Sequence, residues 1–168
     1  MRARLSGLGA AGLILVIDQW AKYWVQTHAR QLPVTWTLAG CEASISFARN
    51  GGAFLSLGAT MPDFARMIVF MLFPAVVVVG AATYYLVGRG GTPVQRLCVL
   101  VVAAGATGNL IDRVRNDNLV TDFMFLGCGP FHTGIFNFAD MALISAVVIL
   151  ALTEIRDFAD WRHDLTDV

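Results

Sequence analysis

The sequence predicts a membrane all-α protein: four transmembrane helices, with a small extramembrane β-sheet between the first two. Three observations predict it. Apolar residues fill 57% of the 168 positions and charged residues only 14%, where a soluble domain carries roughly a quarter charged residues. Four apolar runs approach the roughly twenty residues that a spanning helix needs. The segments between them at about 26–61 and 112–136 are too polar to span, and both fall on one side of such a bundle. The length suits a single domain over 1–168. Net charge is zero, from twelve basic and twelve acidic residues, so no basic excess points to nucleic acid.

The first span covers about Leu5–Val25, after Arg2 and Arg4. It imitates a signal peptide, but no convincing small-x-small cleavage site follows, so it reads as a retained helix. Trp20, Tyr23 and Trp24 close it as an interfacial aromatic belt. Asp18 and Lys22 are four apart, share a helix face and can pair. The pair either makes the polar helix end tolerable or props up neighbouring site residues.

Next, Val34, Trp36 and Leu38 alternate with Thr35 and Thr37, and Ala43, Ile45 and Phe47 alternate with Ser44 and Ser46. Period-2 alternation on either side of Ala39–Glu42 predicts two short strands and a turn. The segment ends in a glycine-rich run, Arg49–Gly58, where Gly51 and Gly52 permit unusual backbone angles or a close approach. The second span, about 64–87, contains Pro74, which predicts a kink. A polar loop, Gly88–Pro93, leads to the third span at about 94–111. Ala103, Ala104, Gly105, Ala106 and Gly108 make its second half small, which suits close helix packing. Residues 112–136 read as a polar stretch and then a loop, Gly127–Gly134. The fourth span covers about 137–155, and the charged tail Arg156–Val168 is expected to fray. Cys98 lies in an apolar run and reads as a small core residue. The three Cys have no metal spacing. Cys41 and Cys128 fall on the same membrane face, which leaves a bridge between them open.

Counting spans brings Asp18, Lys22, Asn50, Asn109, Asp112, Arg113, Asp122, Asn137 and Asp140 to one membrane face. Ionisable groups gathered beside membrane spans point to function. Arg2 and Arg4 stand on the first short segment without an acid, which places the termini inside and the polar face outside.

Taken singly, Asn137 is a helix N-cap and Asp140 a first-turn acid favoured by the helix dipole. Asp122 is a loop acid by the same reasoning. Together, Asp122 and Asp140 are two carboxylates bordered by Asn and Arg donors. Two carboxylates held close do not both ionise readily, so one keeps a proton and the pair offers an acid and a base. The base activates a water, and the acid protonates the scissile carbonyl or the leaving amine. They titrate as a unit, so neither role is assigned to one residue. Asn50, Asn109 and Asn137 can hydrogen-bond a substrate backbone. Arg113 can orient the acids or bind a carbonyl through its fork of donors. Asp112, next to Arg113, reads as its structural partner. There is no H-E-x-x-H, and His28, His132 and His163 are scattered, so a zinc site is not expected. Ser145 has no His on any spanning run to serve as its base. A small proton-coupled carrier and a non-enzymatic membrane scaffold are the competing readings.

Five segments carry a family resemblance: D-Q-W-A-K at Asp18–Lys22, N-G-G-A-F at Asn50–Phe54, G-N-L-I-D-R at Gly108–Arg113, T-D-F at Thr121–Phe123 and F-N-F-A-D at Phe136–Asp140. In this order and spacing they resemble the bacterial lipoprotein signal peptidases, the signal peptidase II family. The resemblance implies a four-span aspartyl endopeptidase of the inner membrane, with its site at the outer face and both termini cytoplasmic. Such enzymes cut the signal peptide from a prolipoprotein just before its diacylglyceryl-modified Cys. By motif position Asp122 and Asp140 would be the catalytic pair. Asn50, Gly52, Asn109, Arg113 and Asn137 would line the site, and Asp18, Lys22 and Asp112 would support it. The implied partners are the lipidated precursor, membrane lipid and globomycin-like cyclic peptide inhibitors, with a monomer expected and no cofactor or metal. The chain departs from the family pattern at Phe54 and Leu55, where a small residue and then the aromatic are usual, and at Ala21, where Ser or Thr is usual.

Overall fold

In the computed structural model, which describes residues 2–52, 61–87 and 90–166, the four apolar runs are four long helices. They are α1 (Arg2–Thr27), α2 (Asp63–Val87), α3 (Pro93–Arg115) and α4 (Phe138–Thr166). Phe54 and Leu55 of the glycine-rich run, and Arg89 of the polar loop, lie outside the described residues. Among the described residues α2, α3 and the Phe138–Arg162 part of α4 are long and apolar enough to cross a membrane. The 26 residues of α1 carry Asp18, Gln19 and Lys22 in its second half. Large apolar side chains face outward along the helices, among them Leu13 and Val79. Apolar surface this extensive is the kind that meets lipid or a partner.

Pro74 has the expected effect, in a particular form. Proline has no N–H to give the carbonyl four residues back, and its ring crowds that carbonyl. One turn ahead of it, α2 widens into a π-helical stretch, Ile68–Leu72, which accommodates the broken ladder within a continuous helix. Pro93 opens α3 at a position where the missing N–H has no consequence. Thr92 and Gln95 close a reciprocal capping box there.

Helix α3 packs against each of the other three. Its small residues make this possible. A Cβ placed on Gly105 would stand 2.7 Å from the carbonyl oxygen of Ala139 and 2.8 Å from Leu143 Cγ. Backbone cannot yield as a flexible side chain does, so Gly105→Ala is expected to destabilise by about 1–3 kcal/mol. Thermal unfolding in detergent checks this; an unchanged midpoint would mean that α3 and α4 do not approach so closely.

The predicted hairpin is present as β1 (Val34–Leu38) and β2 (Cys41–Asn50), with Val34 opposite Ile45 and Leu38 opposite Cys41. Ala39 and Gly40 turn with positive φ, 51° and 82°, as two-residue hairpin turns of the primed type require. The sheet is larger than predicted. Residues 112–136, read as a polar stretch and a loop, supply β3 (Val120–Cys128) and β4 (Phe131–His132), giving the antiparallel order β1-β2-β3-β4. Asp122 therefore stands on a strand, not in a loop. Strand β3 carries no polar–apolar alternation because its first four residues are all buried, so the period-2 signal is missing. Phe123 packs with Ala21 and Val25 of α1 in a small core. The register sets Cys41 opposite Cys128, and the two form a disulfide. Cys98 is buried. The tail does not fray from Arg156: α4 continues to Thr166, since no Gly or Pro interrupts it.

Candidate active site

The site is built where α1 ends, α3 ends, α4 begins and the sheet lies across them. Asn137 caps α4. Its Oδ1 accepts from the Asp140 N–H at 2.9 Å, and Asp140 Oδ2 accepts from the Asn137 N–H at 3.2 Å. This reciprocal box leaves Asp140 Oδ1 to accept from Asn109 Nδ2 at 2.9 Å. The cap reading of Asn137 and Asp140 is correct as local structure, and it orients the acid that faces the site.

Asp122 reaches the same place from β3. Its Oδ1 accepts from Asn137 Nδ2 at 2.7 Å and its Oδ2 from Asn50 Nδ2 at 2.8 Å. A bulge in β2 between Ile45 and Ala48 shifts the register, so that Asn50 sits opposite Val120 and Ala48 opposite Asp122. Bulges re-aim strand ends in this way. Asn137 thus bonds to both acids and also donates to Asn109 Oδ1 at 3.2 Å. Burial pushes the Asp122 carboxyl up to about 6, and the charge of Asp140 adds to the rise. The amides of Asn50 and Asn137, which favour the ionised form, oppose it.

Behind the acids lies a charge cluster. Lys22 is 1% exposed. Its Nζ is 2.9 Å from Asp18 Oδ2, 3.3 Å from Asp112 Oδ2 and 3.0 Å from Asn109 Oδ1, to which it donates. The expected Asp112–Arg113 pair does not form. Successive helical residues point about 100° apart, so Asp112 turns to Lys22 and also accepts from the Thr121 N–H at 2.8 Å. Arg113 turns toward the cavity. It donates to the carbonyl of Gly52 at 3.2 Å and lies over the Phe70 ring at 5.5 Å. Asp18 Oδ1 accepts from the Ala139 N–H at 2.9 Å, giving α4 a second cap. A Cβ on Gly108 would stand 2.7 Å from Asp18 Oδ2, so glycine is what admits that carboxylate.

All nine polar residues expected at one face therefore belong to one hydrogen-bonded network, with Gly52 at its edge. Two members were not singled out. Gln19 Nε2 donates to Asp18 Oδ2, the Gly108 carbonyl and Asp112 Oδ1 at 3.2, 3.2 and 3.3 Å. Thr121 is fully buried, and its Oγ1 accepts from Gln26 at 2.8 Å. An amide at the end of an apolar run was the available signal for Gln19; Thr121 had none apart from its neighbour Asp122. His28 and His132 stay away from the site: His28 stacks on Trp24 and His132 on Phe125.

Among the described residues, Asp122, Asp140 and Arg113 are the ionisable ones lining a cavity of about 460 Å³ between the helices. Asn50, Gly52 and Asn109 share its rim, and Phe73, Val77, Val102, Leu143, Ile144 and Val147 form its apolar wall. The arrangement offers two held carboxylates and several amide donors to an extended chain with apolar substituents.

Known proteins are similar to this chain. The profile of the family described as Signal peptidase (SPase) II matches residues 10–156. A lipoprotein signal peptidase of Syntrophus aciditrophicus is 32% identical over 150 residues, covering 87% of this chain and 89% of that protein. Another, of Moorella thermoacetica, is 33% identical over 141 residues, covering 82% and 85%. A solved bacterial membrane enzyme shares the fold with a TM-score of 0.76 at 22% identity, over 92% of this chain and 90% of its own. With the family profile running through every element that builds the site, the chain belongs to the signal peptidase II family and is a peptidase of the membrane.

Proposed function

We propose that this chain is an aspartic endopeptidase that removes the signal peptide from lipid-modified prolipoproteins, cutting on the N-terminal side of the diacylglyceryl-Cys. One observation carries the reading: Asp122 and Asp140, from a strand and a helix start, face one largely apolar cavity and are tied together through Asn137. One carboxylate takes a proton from water, whose oxygen attacks the scissile carbonyl. The other, protonated, gives its proton to the developing oxyanion or the leaving amine. Asn50 and Asn109 hold the acids in place and offer donors to the substrate backbone. Arg113 supports the Gly52 carbonyl at the rim.

The apolar wall suits the signal peptide or the acyl chains of the lipidated Cys, and globomycin-like cyclic peptides would compete for the same space. In this reading α1 is the fourth span, both termini are cytoplasmic and the sheet lies outside the inner membrane. The protein acts as a monomer. A proton-coupled carrier calls for acids part-way along its spans. Asp122 on a strand and Asp140 in the first turn of α4 favour the peptidase.

The test is cleavage in detergent of a diacylglyceryl-modified precursor beside its unlipidated form. Only the lipidated precursor should be cut efficiently. Equal cleavage of both would overturn the substrate assignment.

The pH profile follows from Asp122. Its carboxyl is raised to about 6, so the pair keeps its shared proton below that pH and loses it above. The value of kcat/KM, which reports the free enzyme, should fall on the alkaline side with an apparent pKa of about 6. Bound substrate drives water from the cavity and raises the carboxyl further, so the limb in kcat should lie at higher pH. Coincident limbs, or a profile flat from about pH 5 to 8, would mean that Asp122 does not set the reaction's protonation state.

A further inference from the structure

At the helix ends opposite the acids there is a second cavity, about 530 Å³, between the starts of α1 and α3 and the end of α2. Nothing in the peptidase reading uses it. Its walls are apolar at Ala10, Leu97 and Leu100, with buried Tyr85 beside them. Gly7 keeps it open, since a Cβ there would meet Leu100 at 3.1 Å and the Tyr85 hydroxyl at 3.3 Å. Arg96 stands in its lining. The Arg96 Nε donates to the Gly90 carbonyl at 3.0 Å, which fixes the guanidinium. Among the described residues no carboxylate pairs with it; Glu154, on α4 near this end, accepts from Gln95 at 2.8 Å instead.

Among the described residues Arg96 is the charged side chain in the lining of this cavity. No Asp or Glu occurs from Met1 to Ile17 or from Phe64 to Ile111, and these stretches include every residue that lines it. In the sequence Arg2 and Arg4 stand just before Ser6 and Gly7, and Arg89 just before Gly91. An uncompensated guanidinium over an apolar groove, at the mouth of helices that cross a membrane, complements an anion with a hydrocarbon tail. A basic pocket between spans is a general means of holding an acidic lipid headgroup, and a guanidinium fork matches a phosphate.

We propose that this cavity binds an anionic phospholipid, with its phosphate on Arg96 and the upper part of one acyl chain along Ala10, Leu97 and Leu100. The bound lipid ties α1 to α3 at the end remote from the acids and stabilises the bundle. A soluble phosphate would satisfy Arg96 but leave the apolar groove unfilled, so the lipid is the favoured occupant.

The test uses the full chain in neutral detergent, with thermal unfolding read against added dioleoyl-phosphatidylglycerol, dioleoyl-phosphatidylcholine or inorganic phosphate. Phosphatidylglycerol should raise the midpoint by about 5 °C at saturation; the other two should not. In Arg96→Gln that shift should disappear while the cleavage rate in detergent stays that of the parent. Ala10→Phe, which fills the groove from α1 and leaves Arg96 in place, should remove it as well and serves if Arg96→Gln does not fold. Equal shifts from the two lipids would overturn the headgroup contact. An equal shift from inorganic phosphate would overturn the lipid assignment. A shift that survives in both variants, or none with any addition, would overturn the site.

Discussion

Asp140→Asn is expected to slow precursor cleavage by about three orders of magnitude or more, as is Asp122→Asn, with the protein still inserted and folded. The reaction needs one carboxylate to take a proton and one carboxylic acid to give one; an amide does neither at working pH. At position 140 an Asn still offers an oxygen to the Asn137 N–H, so the cap of α4 survives, but its amide nitrogen faces the Asn109 Nδ2 donor, because Lys22 and Asn137 hold the Asn109 Oδ1. At position 122 both oxygens accept from amides, Asn137 and Asn50, and one of those donors would face another donor. Some loss of stability is therefore expected in both variants besides the loss of rate. The double variant should be scarcely slower than either single one, because the two acids act as a unit. A gel-shift assay on lipidated precursor, with thermal unfolding of each variant, makes the measurement. Cleavage retained by either single variant would remove that residue from the catalytic role.

Lys22→Met is expected to lose about 3–5 kcal/mol of stability, the range seen when one partner of a buried ion pair is removed. Lys22 is buried between Asp18 and Asp112, and its loss leaves two buried carboxylates without a cation. The midpoint in detergent should fall by roughly 10 °C. Activity should fall too, since Asn109 loses the ammonium on its Oδ1 and with it the orientation of the amide that holds Asp140. Neutralising the whole cluster, as Lys22→Met with Asp18→Asn and Asp112→Asn, should recover much of the lost stability, because the loss comes from unpaired charge and not from packing. A triple variant no more stable than Lys22→Met would show that Lys22 acts through its shape.

Four apolar runs, the hairpin around Ala39 and Gly40, and the gathering of nine polar residues at one end of the helices were legible in the sequence. Each rests on something local or countable: the length of an apolar run, a period of two, the number of crossings. The acids themselves were legible for the same reason, since ionisable groups beside spans are few. What the sequence could not decide was which way each group points and what it meets. Asp112 and Arg113 are neighbours in the chain, yet they part around the axis of α3 toward Lys22 and Gly52. Strand β3 lacks alternation because both faces of its first four residues are buried, so only the packed structure shows that Asp122 stands on a strand. Cys41 and Cys128 meet because the register of β2 on β3 sets them opposite. Helix rotation and strand register are settled by contacts between segments far apart in sequence, and those contacts exist only once the chain has packed.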